Sequence, residues 1–171
     1  LPQQEVTHVP LKELERRMRP GIFSQSGFLG PTESLRTVLE SDAATLDQLG
    51  LAAETLALRL RACLTAALAI HRATTIVSPH IIRIQGYKGP QICPFAPEPH
   101  ENPCPGPPPS DNQFASIDWS IQNTRNNAHL TGPGLIVHLI HAHHFFEGPQ
   151  SPYRVDPRAL AHLLGLGPYA T

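Results

Sequence analysis

Gly132-Pro133-Gly134-Leu135-Ile136-Val137-His138-Leu139-Ile140-His141-Ala142-His143-His144-Phe145-Phe146-Glu147-Gly148 decides how the second half of this chain is read. A proline near the start and a glycine at the end bracket an apolar run, so the pattern predicts a short helix begun by Gly132-Pro133 and stopped by Gly148. Four of the ten histidines fall inside it. His138, His141 and His144 recur every third residue, an arc of about 120° on an ideal helix. His143 is turned about 140° from His138, so using the two together requires the last turn to tighten or unwind.

Upstream of this helix the period changes from helical to alternating. Phe114 to Asn123 reads as a strand, with Ile117, Trp119 and Ile121 on one face and Asp118, Ser120 and Gln122 on the other. Thr124-Arg125-Asn126-Asn127 is a turn and His129 to Thr131 a short return strand. Further upstream, Thr74 to Val77 and His80 to Tyr87 are β-branched and apolar and read as strands. Between the two strand regions, eight of the sixteen residues from Pro94 to Pro109 are proline. Such a stretch donates few backbone hydrogen bonds and is expected to run as an extended surface loop.

Cys93 opens that loop and Cys104 lies within it, with ten residues between them. Soft thiolates on a loop followed by imidazoles on a helix are the donor types of a structural zinc site, because a loop can wrap an ion while a helix presents a fixed pair. His138 and His143 enclose four residues, inside the usual three-to-five window. The expected metal ligands are therefore Cys93, Cys104, His138 and His143, with His144 or His141 as substitutes and Zn2+ as the ion. His100, between the cysteines, is the rival from the loop side; if it binds, one helical histidine suffices. The plainer alternative is that the histidines are solvated residues favoured at a helix carboxyl end, with the cysteines free or disulfide-linked.

In donor type, and in the order hairpin then helix, the segment from about Ile82 to Glu147 resembles a two-cysteine, two-histidine zinc finger. It departs from that family in the long spacing of the cysteines and in the thirty-three residues between Cys104 and His138. The remaining histidines, His8, His71, His80, His129 and His162, are isolated and are expected to be solvated or hydrogen-bonded.

The first half is helical. Residues 1 to 9 read as an exposed arm, and Leu11 to Met18 as a short helix with Leu11, Leu14 and Met18 on one face. Gly21 to Gly30 is an apolar loop that must lie on a core. A helix is expected behind Pro31 with Thr32 as its cap, and another from Ser41 to a stop at Gly50. From Leu51 to about Arg72, Leu56, Leu60, Leu64 and Leu68 recur every fourth residue, the strongest helix pattern in the chain. Cys63, on that helix, reads as a small buried apolar residue. At the other end, Asp156 caps a last helix that Pro157 starts, Leu160, Leu163 and Leu164 pack, and Gly165 stops. In the segment before it, Phe145 and Phe146 are expected to seal the core. Arg154 is expected to pair with Asp156 or, if free, to anchor an anionic partner.

The expected fold is therefore α+β: an N-terminal helical lobe of about four helices over 1–73, then a metal-binding lobe over 74–171. The second lobe is a zinc-stapled hairpin and helix with a proline-rich loop and a C-terminal helix; the two together can also form one continuous domain. The 171 residues carry thirteen basic and fourteen acidic side chains. With no strongly basic field, nucleic-acid binding is not expected. No apolar run approaches a membrane span. The chain starts at Leu1 rather than Met, which leaves a trimmed or processed start open, and no signal peptide is visible; three cysteines do not make a disulfide framework. The default location is the cytoplasm. The function expected is a zinc-stabilised protein acting through a protein partner, with no catalytic residue assigned. The alternative is a zinc hydrolase using Glu147 or Asp118 as general base, although the His-Glu-x-x-His motif, the phosphate loop and the Gly-x-Ser-x-Gly elbow are all absent.

Overall fold

The structure, a computed structural model, describes residues 9–87, 89–98, 104 and 114–171. Residues 1–8 of the expected arm over 1–9, with His8, together with His100 and the proline-rich stretch on either side of Cys104, lie outside the described residues. Among the described residues, five α-helices and a four-stranded antiparallel sheet make a mixed α+β fold.

Helix α1 (Leu11–Met18) follows Pro10, whose carbonyl accepts from the Glu13 and Leu14 N–H groups, and it buries Leu14 and Met18. Helix α2 (Leu35–Leu49) is capped by Ser34, whose hydroxyl accepts from the Thr37 N–H at 3.3 Å, and it ends at left-handed Gly50. The expected cap at Thr32 and the expected break at Ser41 are both corrected here. No proline or glycine interrupts the helix, and Asp42 turns inward to Arg154 instead of helping to start a new one. Among the described residues, three helices rather than about four therefore precede the sheet. Helix α3 (Ala53–Ile70) buries Leu56, Leu60 and Leu64 completely, as their four-residue spacing requires.

Strands β1 (Thr74–Val77), β2 (His80–Gly86), β3 (Ile117–Asn123) and β4 (His129–Pro133) pair in chain order as an antiparallel meander. Ile117, Trp119 and Ile121 alternate inward and are buried. Helix α3 packs against β1 and β2, and helix α5 (Pro157–Leu164) against β3 and β4. The opposite face carries Arg83, Gln85 and Gln122 toward solvent. Strand β1 is at the edge of the sheet, with Ile76 73% exposed.

Gly132 and Pro133 finish β4 rather than starting a helix, which corrects the expected boundary. The Trp119 indole N–H donates to the Pro133 carbonyl at 3.0 Å, and a Cβ on Gly132 would collide with the Trp119 ring and with Val155. A side chain that must lie flat on backbone demands glycine there. The Gly134 N–H then donates to the Ile117 carbonyl, and helix α4 runs from Ile136 to His143. It stops at His144, which is left-handed at φ 52°, and not at Gly148. The residues freed by that early stop, Phe145 and Phe146, are fully buried in the core. Helix α5 has the expected cap, with Asp156 accepting from the Ala159 N–H at 3.0 Å, and Gly165 closes it in the left-handed region. Among the described residues, no helix is long and apolar enough to cross a membrane.

Candidate metal centre

Cys93 reaches the sheet because the chain after β2 doubles back along the entry to β3. The Tyr87 N–H donates to the Ser116 carbonyl and the Gln91 N–H to the Ala115 carbonyl, both at 2.9 Å. Cys93-Pro94-Phe95-Ala96 then forms a tight turn, closed by the Ala96 N–H on the Cys93 carbonyl at 3.2 Å. The Phe95 and Ala96 N–H groups also point at the Cys93 sulfur. Both features suit a loop that presents its thiolate to an ion.

Helix α4 supplies the other half. His143, its last residue, places Nε2 3.5 Å from Cys93 Sγ and 3.2 Å from Cys104 Sγ. The His138 ring stands edge-on to it, with centroids 5.2 Å apart and planes at 81°. Cys93, Cys104, His138 and His143 are all buried, and one ligand atom from each lies within 4.8 Å of all the others. The structure thus brings together the four residues singled out in the sequence, and the group can hold a metal ion. His143 reaches the site from within the helix, whose last turn is regular, so the tightening or unwinding expected from its offset to His138 is not needed.

The electrostatics of the bare group agree with its donor chemistry. Burial, together with the Cys104 sulfur beside it, pushes the Cys93 thiol up, while the Cys104 thiol is held down chiefly by its hydrogen bond from Cys93 and then by His138 and His143. The two sulfurs behave as a pair sharing one proton, with Cys104 ionising first. Burial lowers the pKa of His143, against the pull of Cys104. Neutral imidazole and thiolate are the forms that bind a cation. The Nε2 atom of His138 is buried and has no hydrogen-bond partner among the described residues, a condition that costs free energy unless something meets it.

The substitute ligands lie elsewhere. His144 Nε2 is 2.7 Å from the Glu54 carboxylate on α3, and His141 is buried outside the group. The two carboxylates considered as bases also stand apart. Glu147 accepts a bond from the Ser151 hydroxyl at 3.1 Å, and burial pushes its carboxyl up to about 8. Asp118 is on the outer side of β3 beside the Tyr87 phenol. Among the described residues, no carboxylate joins the four-residue group. Arg154 binds Asp42 in bidentate fashion at 2.7 and 3.0 Å and reaches Asp156 only at 3.4 Å, so it is not a free anion anchor.

Of the isolated histidines, His80 is buried with Nε2 2.9 Å from the Leu163 carbonyl and Nδ1 4.0 Å from Cys63, and His129 meets the Ser120 hydroxyl at 2.8 Å. Two contributors to the centre carry no sequence signal. The Phe95 ring stacks on His143, and Arg17 on α1 donates to the carbonyls of Pro94 and Ala96.

No protein-family model matches this sequence, and neither the curated proteins nor the solved structures contain a significant match.

Proposed function

We propose that this chain is a zinc protein in which Cys93, Cys104, His138 and His143 hold one structural ion, and that it acts by contact with another protein. The observation that carries the reading is the convergence of four buried donors from a loop and a helix within 4.8 Å of one another. For a tetrahedron with zinc–sulfur and zinc–nitrogen bonds of ordinary length, neighbouring sulfur and nitrogen ligands are about 3.6 Å apart. The spacings of His143 Nε2 from the two sulfurs, 3.5 and 3.2 Å, are close to that edge. Two thiolates would neutralise the charge of the ion, and four protein donors would leave no position for a water. Both properties favour a structural role over catalysis. A reducing compartment, for which we take the cytoplasm, would keep the thiols available.

Zinc would tie the proline-rich loop, through Cys104, to the buried end of α4. A proline-rich segment tied down at Cys104 is a kind of sequence that protein domains read, and this supports a protein partner over nucleic acid. The metal reading is tested by elemental analysis of the purified chain alongside its Cys93→Ser and Cys104→Ser variants. One zinc per wild-type chain and marked loss in both variants is expected; a metal-free wild type that is fully folded would overturn it.

A further inference from the structure

We propose that Arg17 is a positioning residue of this centre, fixing the Cys93 turn in its ion-binding shape, a role that rests on the metal reading above. Arg17 is in α1, 77 and 79 residues from the carbonyls it holds: its Nη1 donates to the Pro94 carbonyl at 3.1 Å and to the Ala96 carbonyl at 2.6 Å. The residue is only 9% exposed, and its Nε sits 3.2 Å from the partly exposed carboxylate of Glu13. The guanidinium also lies over the Phe23 ring at 5.5 Å. A buried arginine is costly unless its donors are engaged, so these bonds hold it to one place.

The two carbonyls matter because of what else their peptide groups do. The Pro94 carbonyl and the Phe95 N–H belong to one peptide unit, and that N–H points at the Cys93 sulfur. A cation on the oxygen polarises the unit and strengthens its N–H as a donor, so the charge of Arg17 is relayed to the thiolate without contact. The second bond pins the Ala96 carbonyl, the exit of the turn, just before Pro97, which has no N–H of its own to offer. Between these two anchors lies Phe95, whose ring stacks on His143 at 4.1 Å. Arg17 thus controls both the orientation of one sulfur ligand and the position of the ring that backs an imidazole ligand. Residues that orient metal ligands from outside the coordination shell change metal affinity by about 10- to 100-fold when lost.

The test is the zinc affinity of the full chain, measured by competition with a chromophoric chelator, together with the absorption spectrum of the cobalt-substituted protein. Arg17→Met should bind zinc about 10- to 100-fold more weakly, with altered sulfur-to-cobalt charge-transfer bands. Arg17→Lys, which keeps the charge but has a single nitrogen to serve both carbonyls and Glu13 in place of Nη1 and Nε, should fall between, and it decides the matter if Arg17→Met does not fold. Leu14→Ala loosens the same helix without touching the turn, so it should lower thermal stability while zinc affinity stays within about threefold of wild type. Unchanged affinity and spectra in both Arg17 variants would overturn the proposal, as would an equal loss of affinity in Leu14→Ala, which would reduce Arg17 to an anchor for α1. A wild-type chain that takes up no zinc would instead overturn the metal reading itself, and this proposal with it.

Discussion

The Phe95 ring lies flat on the imidazole of His143, with centroids 4.1 Å apart and planes 10° from parallel, while its edge meets Phe145 at 5.6 Å. The ring joins the candidate metal group to the apolar core, since it touches a proposed ligand on one side and a fully buried phenylalanine on the other. Phe95→Ala is expected to lower stability by about 3 kcal/mol, and Phe95→Leu by about 1 kcal/mol, because leucine refills most of the volume but cannot stack. Urea unfolding of the zinc-loaded variants measures both; equal losses would show that the ring contact rather than volume decides this position, and no loss in Phe95→Leu would show that only volume matters.

Removal of the ion should loosen everything that the loop and α4 hold together. A structural ion bound only by the folded state adds its binding free energy to stability, so exhaustive chelation is expected to lower the melting temperature by about 10 °C or more. One equivalent of zinc should restore it. A melting curve and far-UV spectrum identical before and after chelation would contradict a structural ion.

Glu147 makes a pH prediction with a definite sign. Burial raises its carboxyl from 4.5 to about 8 in the folded chain, with the Ser151 hydroxyl opposing the shift. The neutral form is the one the fold prefers, so its contribution is fully present below pH 4.5 and is lost as pH rises through 8. Relative to wild type, Glu147→Gln should therefore be nearly neutral near pH 4.5 and more stable above pH 8 by roughly 4–5 kcal/mol. Comparing the two proteins by denaturation at each pH cancels the titration of the cysteines and histidines. A flat difference would mean that Glu147 is not buried as described.

Arg154 and Asp42 form a part-buried ion pair that connects the loop before α5 to the middle of α2, and Arg154 also donates to the Glu147 carbonyl at 2.6 Å. Asp42 is 3% exposed, so removing its partner leaves a carboxylate stranded in the core. Arg154→Met should cost about 3–5 kcal/mol, and combining it with Asp42→Leu should recover much of that loss, because an apolar pair of similar volume strands no charge. Thermal or urea unfolding of the single and double variants completes the cycle. A double variant as unstable as the sum of the singles would place the cost in lost packing rather than in the stranded charge.

What could be read from the sequence was what short-range patterns control. The alternation of Ile117, Trp119 and Ile121, the four-residue spacing of Leu56, Leu60 and Leu64, and the Asp156-Pro157 start of α5 each repeat a local geometry, and each is present. Cys93, Cys104, His138 and His143 were legible as a set because thiolates and imidazoles at such spacings have few other reasons to accumulate. Gly132-Pro133 misled because the same dipeptide can open a helix or close a strand, and only the Trp119 ring, a distant contact, decides between them. Ser41 misled as a cap because Asp42 beside it finds its partner 112 residues away in Arg154. Arg17 was invisible for the same reason: nothing near it in sequence hints at the two carbonyls it holds.

One of the two outermost strands, β1, has a practical consequence for anyone handling the protein. Thr74-Thr75-Ile76-Val77 offers a row of backbone groups with no charge, proline or bulge to discourage a neighbour, and Ile76 projects beside it into water. Concentrated samples should therefore stick together rim to rim, and a single lysine at position 76 would be the simplest way to keep them dispersed.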